Sequence, residues 1–584
     1  MKKFIPNYFL PFMICLLFLA AGSKFISAAA AAGNGTGDQP SGFAGTSGDP
    51  LVVKTASGLV KGNYADQTIV WKGLPFAKRP VGNLRWKAPQ EPDSWKGIKP
   101  ADEFGDICPQ YLTDPEDISK TIGIGGSEDC LYLNVWRPNT KESNLPVYFW
   151  IHGGGNSIQL PLHQDLSGAN LSTTDNFVVV SINYRLGPLG WFTHPALKGF
   201  NAYDNSGNFG TLDIIKALEW VKKNIAAFGG NPGGVTVAGE SAGGLNTFSL
   251  IMSDLAKGLF HHAVIESGMA ITSSVKSGET YANGIIIKSL IRDGLATDEA
   301  SAQAYLDKMS RSDIKKYLLA QSAQDLIALN TPASGAMYIM PNIFPDGVVI
   351  PKSGTAALRD GTYPNKVPLI IGTNEDEVKL FLFMTPQFMP IALGTADADL
   401  IELYNLVSKY MTDLWKAGID STVRSMRAYQ DNIYEYNFNW GAGGAGSVLP
   451  YPYNYALGSC HGMEIEFFFG NTDNVTGMLG KVGYTDQNLP GRTALSQAIM
   501  TYLDGLARKG DPNVYAEKLP QWQPWSNKFL NAPKSLILDA GDSDLRIQMS
   551  TEEYNALVIM GQLLREPRAQ EILEVMKEMS SLII

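Results

Sequence analysis

The sequence is poor in positive charge and has no long apolar run. Lys and Arg number 47 against 57 Asp and Glu, which gives a formal net charge of −10. An acidic chain without a basic stripe argues against nucleic acid or an anionic membrane as a partner. The apolar stretch at residues 9–21 spans about 13 positions and contains Pro11, whereas a helix that crosses a bilayer needs about 20. We therefore expect no stable membrane insertion.

Cysteine is also scarce, with four in 584 residues. Cys15 lies in the N-terminal stretch. Cys108 and Cys130 are close enough to close a loop of about 21 residues, and a disulfide there would add roughly 3 kcal/mol of stability in the chain-entropy model. An exported protein permits such a bond. Cys460 is left over, and we expect it to be a small buried side chain rather than a reactive thiol.

The N-terminal stretch has the pattern of a secretory signal. Residues 1–32 combine Lys2 and Lys3, an apolar core and the small residues 28–32, which is the order of segments in a cleaved signal peptide. Residues 33–49 are rich in Gly, Ser and Thr without an apolar period and predict a flexible leader. The protein is therefore expected to be exported, either to the periplasm or out of the cell.

Residues 50–584 predict a single α/β domain. Runs of β-branched and apolar residues predict strands, and these alternate with segments in which apolar residues have helical spacing. The predicted strands are 51–55, 58–61, 68–71, 132–136, 147–151, 177–182, 235–239, 263–265, 367–371, 434–439 and 536–538. Helices are predicted at 211–228, over most of 281–329 and 400–434, and within 551–584. This alternation predicts a large, mostly parallel central sheet with helices on both faces.

The stretch 235–246, VTVAGESAGGLN, carries the strongest chemical signal. Its G-x-S-x-G pattern lies between a predicted strand and a predicted helix, which is the setting of a nucleophile elbow. Such a turn places a serine on strained backbone with its hydroxyl exposed. Gly239 and Gly243 lack side chains and let the strand and the helix pass closely. Ser241 is therefore the predicted nucleophile.

A serine hydroxyl needs a base, and histidine is rare in this chain. In this type of sheet the chain order is serine, then acid, then histidine. Of the six histidines, three precede the serine and two follow it by about one helix, which leaves no later strand for an acid before them: His152, His163 and His194, then His261 and His262. Only His461 stands after a plausible acid loop, and it is the predicted base.

The acid is expected at the end of a strand between Ser241 and His461. The predicted strand at 367–371 is followed closely by a loop with three carboxylates, Glu375, Asp376 and Glu377. Spacing alone does not choose between them. Two of the three are expected to be solvated charges.

A second glycine-rich motif predicts the site that stabilises the oxyanion. The sequence HGGG at 152–155 follows a predicted strand and has the pattern of the oxyanion loop of lipases and esterases. Bare glycines let backbone N–H groups approach the substrate carbonyl, where negative charge develops. A further donor is expected from the N–H of Ala242, directly after the nucleophile.

Taken together, the motifs make this chain resemble the type-B carboxylesterases, a family of α/β-hydrolase fold that includes cholinesterases and fungal lipases. The resemblance covers nearly the whole length that follows the predicted signal. It is carried by the segments GLPFAKRPVGNLRW (73–86), SEDCLYLNVW (127–136), HGGG (152–155), NYRLGPLG (183–190), GNFGTLDIIKALEWVKKNIAAFGGNP (207–232), GESAGG (239–244), GTNEDE (372–377) and HGMEIEFFFG (461–470).

The resemblance implies roles for individual residues. It selects Glu377 as the acid, beside Ser241 as the nucleophile and His461 as the base. The other implied positions are the oxyanion donors Gly154, Gly155 and Ala242, the supporting residues Glu240 and Ser267, the disulfide Cys108–Cys130, and the ion pairs Arg85–Glu128 and Arg185–Asp213.

The implied function is hydrolysis of small-molecule carboxylic esters through an acyl-enzyme, with no metal or cofactor. Two alternatives stay open, a lipase acting on long acyl chains and a non-catalytic cholinesterase-like binding protein. The second is disfavoured because silent members of the family have lost triad residues that this chain keeps. His152, Asn156 and Val378 depart from the residues usual in the family. The first two are expected to face the acyl side of the pocket and so to affect substrate preference.

Overall fold

The computed structural model describes residues 48–114, 117–159, 167–332, 335–473 and 478–583. The predicted signal peptide and all but the last two residues of the predicted leader lie outside these ranges, as does His163.

The strands of the described residues form one large sheet and two small ones. In chain order they are β1 Val52–Lys54, β2 Leu59–Lys61, β3 Asn63–Ala65, β4 Thr68–Pro75, β5 Ile98–Pro100, β6 Gln110–Asp114, β7 Asp117–Gly125, β8 Tyr132–Pro138, β9 Leu145–Ile151, β10 Val178–Ile182, β11 Gly230–Glu240, β12 His262–Glu266, β13 Leu369–Asn374, β14 Ile433–Phe438, β15 Ser535–Leu538 and β16 Gln548–Met549. Strands β1, β2 and β5 form one small sheet, and β6 and β7 form the other.

The large sheet has eleven strands in the described residues, in the order β16-β15-β14-β13-β12-β11-β9-β10-β8-β4-β3. The strands from β15 to β10 in this order pair in parallel, and antiparallel pairs occur at both edges. The prediction of a mostly parallel sheet is confirmed. Each predicted strand is present, with its ends displaced by a few residues.

The centre of this sheet is buried on both faces. In β9, Val147, Phe149 and Ile151 pack into one apolar core, and Tyr148 and Trp150 pack into another. None of these five side chains is more than 1% exposed. Successive residues of a strand point to opposite faces, so each core requires a covering layer on its own side of the sheet.

Helices supply both covering layers. The described α-helices are Ala169–Asp175, Gly187–Gly190, Phe209–Asn224, Ala242–Met252, Val275–Arg292, Glu299–Leu306, Arg311–Ala320, Ala323–Ala328, Ala356–Arg359, Lys379–Phe383, Met389–Ala392, Ala398–Met426, Tyr453–Ala456, Ile465–Phe469, Met478–Gly483, Leu489–Lys509, Ala556–Leu563 and Ala569–Ile583. Phe209–Asn224, Ala242–Met252 and Ala398–Met426 contribute to the first core, and Leu489–Lys509 contributes to the second. The predicted helices therefore occur on both faces.

The hairpin of β6 and β7 was not predicted from the sequence. Its nine-residue second strand, DISKTIGIG, mixes charged, polar and glycine residues and has little apolar alternation. Cys108 and Cys130 form a disulfide across the base of the segment that contains the hairpin, with their Cα atoms 5.0 Å apart. The cross-link joins the two ends of this segment.

Cys460 is the free cysteine of the described residues and has no exposed surface. Burial raises the pKa of its thiol well above the ordinary value. Because the thiolate is the reactive form, this position fits the expected inert, buried side chain.

Both ion pairs implied by the resemblance are formed. Arg85 Nε donates to Glu128 Oε1 at 2.6 Å, and Arg185 Nε donates to Asp213 Oδ2 at 2.7 Å. The second pair is buried and anchors the segment before Gly187–Gly190 to the helix Phe209–Asn224. Within the described residues, no helix is both long enough and apolar enough to cross a bilayer.

Candidate active site

Ser241 lies at the sharp turn between β11 and the helix Ala242–Met252. Its φ of 57° and ψ of −120° place it outside the regions that residues with a side chain usually adopt. Strained backbone of this kind costs on the order of 1–3 kcal/mol and persists only where the surrounding structure holds it. Here the Ser241 N–H donates to Glu266 O at 2.8 Å, which extends the pairing of β11 with β12 into the turn.

Glycines on either side of the serine make this turn possible. A Cβ added to Gly239 would lie 2.5 Å from the carbonyl carbon of Gly243. A Cβ added to Gly243 would lie 2.0 Å from Ile151 O. Both contacts are with backbone atoms of neighbouring elements, so neither position accepts a larger residue. The spacing of the G-x-S-x-G pattern is thus a consequence of how closely β9, β11 and the helix approach each other.

The HGGG loop follows β9 and lies directly against the serine. A Cβ added to Gly153 would be 3.1 Å from Ser241 Cβ. Gly154 and Gly155 have φ values of 101° and 62°, which glycine adopts at little cost. The Ser157 N–H donates to Gly154 O at 3.1 Å and fixes the loop. The backbone of the loop is therefore held beside the serine.

The structure corrects the expectation for Asn156. This residue has no exposed surface, and its side-chain oxygen accepts a hydrogen bond from Asn246 Nδ2 at 2.8 Å. It therefore ties the glycine loop to the helix after Ser241 instead of facing a pocket. His152 is only 2% exposed and stacks on Tyr184 with ring centroids 4.4 Å apart. Neither side chain is placed to set substrate preference by direct contact.

The loops that follow β13 and β14 bring the predicted acid and base together. Glu377 Oε2 and His461 Nδ1 are 2.6 Å apart, although the residues are 84 positions apart in the sequence. Glu377 has no exposed surface, and its other oxygen accepts the Asn374 N–H at 2.7 Å. A carboxylate bonded in this way orients an imidazole and stabilises its protonated form.

The second imidazole nitrogen faces Glu240. His461 Nε2 lies 3.0 Å from Glu240 Oε1, yet neither atom has a hydrogen-bond partner. The structure therefore brings His461 onto Glu377 but does not give Nε2 the hydrogen bond to Ser241 that the prediction requires. Catalytic hydrogen bonds are often long in the absence of substrate and tighten in the reacting complex.

Burial and charge act in opposite directions on the groups around His461. Burial raises the pKa of Glu240 to about 8 and that of Glu464 to about 7. Burial lowers the pKa of His461, but the charges of Glu240 and Glu377 outweigh this effect and raise it to about 9. The carboxylates around His461 therefore favour the protonated form of its imidazole. No set of His, Cys, Asp and Glu side chains in the described residues, this one included, is arranged to hold a metal ion.

Two further residues of the site were not identified from the sequence. Asn374 Nδ2 donates to Cys460 O at 2.7 Å and also to Glu464, so it links the acid loop (residues 375–379) to the base loop (residues 457–461). Glu464 in turn accepts a hydrogen bond from Ser267 Oγ at 2.8 Å. Ser267 is thus bonded to Glu464. Both residues lie within segments that carry the family resemblance, Asn374 in GTNEDE (372–377) and Glu464 in HGMEIEFFFG (461–470).

The three carboxylates of the acid loop have different environments. Glu377 is buried against His461, whereas Glu375 pairs with Lys416 Nζ at 2.6 Å. Asp376 pairs with Lys379 Nζ at 2.8 Å, and its side chain is only 16% exposed. The expectation that the other two carboxylates are solvated charges is therefore wrong for Asp376, because a buried lysine compensates its charge.

Comparison with known proteins identifies the family. The model of the carboxylesterase family matches residues 49–392. The chain is 33% identical to the para-nitrobenzyl esterase of Bacillus subtilis over 506 residues, which cover 84% of this chain and 95% of that protein. The chain belongs to the carboxylesterase family. This carboxylesterase is also 31% identical to liver carboxylesterase 1 of Oryctolagus cuniculus over 519 residues, or 82% of this chain and 88% of that protein.

Solved structures agree with this assignment. A PNB esterase structure matches with a TM-score of 0.64 and 29% identity, covering 86% of this chain and 98% of that one. A carboxylesterase of Geobacillus stearothermophilus matches with a TM-score of 0.64 and 27% identity over the same shares. The predicted α/β-hydrolase fold is confirmed. So is the activity class, since this carboxylesterase is a carboxylic ester hydrolase and the alternatives are not favoured.

The contact between Glu240 and His461 predicts a shifted pH profile. For Glu240→Gln we expect the acid limb of kcat/KM to move to lower pH by about one unit or more, because an opposite charge that close stabilises the imidazolium. The measurement is ester hydrolysis from about pH 5 to about pH 10, since kcat/KM reports ionisation in the free enzyme. A limb that stays in place, or moves to higher pH, would show that Glu240 does not carry the charge that His461 senses.

Proposed function

We propose that this carboxylesterase hydrolyses its substrates through an acyl-enzyme on Ser241, with His461 as the general base and Glu377 as the acid that orients it. The supporting observation is the 2.6 Å contact between His461 Nδ1 and the fully buried carboxylate of Glu377. This contact occupies one imidazole nitrogen and leaves the other, Nε2, without a hydrogen-bond partner. Nε2 lies 3.0 Å from Glu240 Oε1, next to the elbow, and its lone pair is the group that can accept the proton of Ser241.

In the first step, Nε2 takes the proton of the Ser241 hydroxyl while Oγ attacks the ester carbonyl carbon. The positive charge that His461 gains is stabilised by Glu377 at Nδ1 and by Glu240 near Nε2. The negative charge on the former carbonyl oxygen is accepted by the N–H groups of Gly154, Gly155 and Ala242. Ala242 is the first residue of its helix, and N–H groups at a helix start have no partner within the helix. The same end of the helix carries partial positive charge.

The second half of the cycle reverses the proton transfers. His461 donates its proton to the leaving alcohol, and the acyl group stays on Ser241 Oγ as an ester. A water molecule then gives a proton to Nε2 and attacks the acyl carbon, which releases the carboxylic acid and restores the hydroxyl. Protons and leaving groups balance over the cycle without any redox step.

We infer an apolar acyl or aryl group in the substrate from the side chains next to the base. The rings of Phe381 and Trp415 each have their centroid 5.2 Å from that of His461. Both rings are largely buried, with 5% and 8% exposure. The similar protein of Bacillus subtilis is named a para-nitrobenzyl esterase, which favours small esters that carry an aromatic group, such as benzyl esters, over long-chain lipids as the substrate class.

The test is hydrolysis of a p-nitrophenyl ester series by the purified protein. We expect kcat/KM to be highest for short acyl chains and to fall by at least about tenfold for long ones, because a chain longer than the pocket meets its walls or loses conformational freedom when it is bound. A preference for the longest chains would instead identify a lipase. If none of the esters in the series were hydrolysed, the proposal would be contradicted.

We propose further that residues 50–584 form one catalytic domain and that the enzyme acts outside the cytoplasm. The disulfide Cys108–Cys130 and the signal-like residues 1–32 support export, because disulfides persist in oxidising compartments. Fractionation of producing cells, with the mature N-terminus determined by sequencing, tests this. An enzyme found in the cytoplasm with its first 32 residues intact would contradict it.

A further inference from the structure

Asp376 joins the acid loop to the base loop. Its N–H donates to Ser459 O at 2.9 Å, and its Oδ2 accepts the Ser459 N–H at 3.1 Å. These two hydrogen bonds form a closed ring between Asp376 and a residue two positions before His461. Glu377, the residue after Asp376, makes a similar contact: its backbone oxygen accepts the His461 N–H at 3.2 Å. Asp376 and Glu377 therefore contact the two ends of the short segment 459–461.

Lys379 holds the Asp376 carboxylate in this position. Its Nζ lies 2.8 Å from Asp376 Oδ1, and the lysine side chain is only 6% exposed. The two carboxylate oxygens thus have separate partners, one on the acid loop and one on the base loop. A buried carboxylate without its cation would be strongly destabilised. The charge of Lys379 therefore compensates the charge of the largely buried Asp376 carboxylate.

The base loop is shaped to receive this carboxylate. Gly458 has a φ of +54°, and a Cβ added there would lie 2.2 Å from Asp376 Oδ2 and 3.2 Å from Lys379 Nζ. Tyr404, from the helix Ala398–Met426, adds a second link, since its hydroxyl donates to Ala456 O at 2.5 Å and also lies 3.2 Å from Lys379 O. Both loops are thus held to each other just before the segment 459–461.

We propose that Asp376 and Lys379 are a positioning pair that fixes the loop of His461, so that the imidazole keeps its bond to Glu377. The inference rests on the proposed roles of His461 and Glu377. Neither member of the pair touches substrate or the reacting atoms. Their effect on the reaction passes through the backbone of Ser459 to the imidazole two residues later.

Lys379→Met is the main test, because methionine keeps much of the lysine chain and removes its charge. We expect kcat to fall about 10- to 100-fold with KM changed by less than about threefold, since small displacements of a catalytic group cost rate rather than binding. The acid limb of kcat/KM should move to lower pH, because a loosened contact with Glu377, now 2.6 Å from the imidazole, stabilises the imidazolium less. Loss of the Lys379 cation acts in the opposite direction, but the charges that act most on His461 are the carboxylates of Glu240, Glu377 and Glu464. A purely structural role would leave that limb in place.

Asp376→Asn and the double variant keep the test decisive if Lys379→Met does not fold. Asparagine has the same shape and retains an oxygen for the Ser459 N–H, but it leaves Lys379 unpaired. We expect kcat of the double variant to exceed that of at least one single variant, because no unpaired buried charge remains. Strictly multiplicative losses, with no recovery, would contradict a pair that acts together.

Lys416→Met is the matched control. Lys416 is also a buried lysine, 2% exposed, and it pairs with Glu375 on the same acid loop at 2.6 Å. Its partner Glu375 bonds to Asn437 of β14 rather than to the base loop. We expect a loss of thermal stability with kcat and the acid limb unchanged.

The outcomes separate this inference from the proposed function. Wild-type kcat and acid limb in Lys379→Met, or the same rate loss in Lys416→Met, would overturn the positioning role while leaving the triad intact. Activity that survives loss of the Ser241 hydroxyl would overturn the proposed function itself, whatever the Lys379 variants do.

Discussion

Replacing Ser241 with alanine is expected to lower kcat by at least about 10³-fold, because the chain then has no hydroxyl at the elbow and only the oxyanion donors remain to assist water. KM should change little, since alanine removes one atom from the site. The measurement is steady-state hydrolysis of a short p-nitrophenyl ester. Alanine has a Cβ as serine does, so the backbone strain at φ 57° is the same in both. The variant should therefore keep the fold.

Ser249→Ala is the matched control for that variant. Ser249 lies in the helix that Ser241 precedes, is fully buried, and its Oγ donates only to Leu245 O in the described residues, at 3.1 Å. We expect kcat within about twofold of the wild-type value. If Ser241→Ala kept comparable activity, the nucleophile would have to be another group.

Glu377→Gln is expected to lower kcat by about 10³- to 10⁴-fold, as removal of the acid does in other triads. The amide oxygen can still accept the Asn374 N–H that bonds Glu377 Oε1 at 2.7 Å. The amide nitrogen then faces His461 Nδ1 and donates to it, which places the imidazole proton on Nε2. In that tautomer His461 cannot accept the proton of Ser241.

Glu375→Gln tests whether the assignment of the acid is right. This carboxylate lies two residues before Glu377 and bonds to Lys416 and Asn437, each at 2.6 Å. We expect it to lose stability and to keep kcat within about threefold. A larger loss of kcat from Glu375→Gln than from Glu377→Gln, measured at equal folded fractions, would move the acid to position 375.

Local pattern predicted the parts of the fold that depend on local chemistry. A run such as 177–182, FVVVSI, has four β-branched side chains among its six residues and suits a strand buried on both faces, and β10 is found there. The place of Ser241 at a sharp turn could be predicted for a similar reason. A Cβ added to Gly239 or Gly243 would lie 2.5 Å or less from a backbone atom. The turn therefore requires glycine at both positions, and this requirement is visible in the sequence.

The choice of Glu377 could not be made from spacing, because the three carboxylates of its loop differ only in their tertiary surroundings. Those surroundings come from distant segments. Lys416 reaches Glu375 from a long helix, and Ser459 reaches Asp376 across 83 positions. Resemblance to a family supplied what local pattern did not. The resemblance did not indicate a role for Lys379, because the burial of this lysine and its contact with Asp376 are known only from the structure.

Asn156 illustrates a different limit. Its position after the glycines suggested a pocket-lining side chain, but the loop turns at φ 57° and sends the amide towards Asn246. The orientation of His461 Nε2 towards Glu240 is likewise a result of tertiary packing. A sequence motif gives the identity of a catalytic side chain and its place on the fold, whereas the direction of each polar atom depends on neighbours from elsewhere in the chain.

The most direct test of the triad is to map the adduct of a fluorophosphonate probe by mass spectrometry. Such a probe phosphonylates a serine only when a neighbouring base activates the hydroxyl. We predict one adduct, on the peptide that carries Ser241, with loss of ester hydrolysis in proportion to labelling. We also predict that His461→Ala labels far more slowly. Continued hydrolysis in a fully labelled protein, or a stoichiometric adduct on a different serine, would contradict the account.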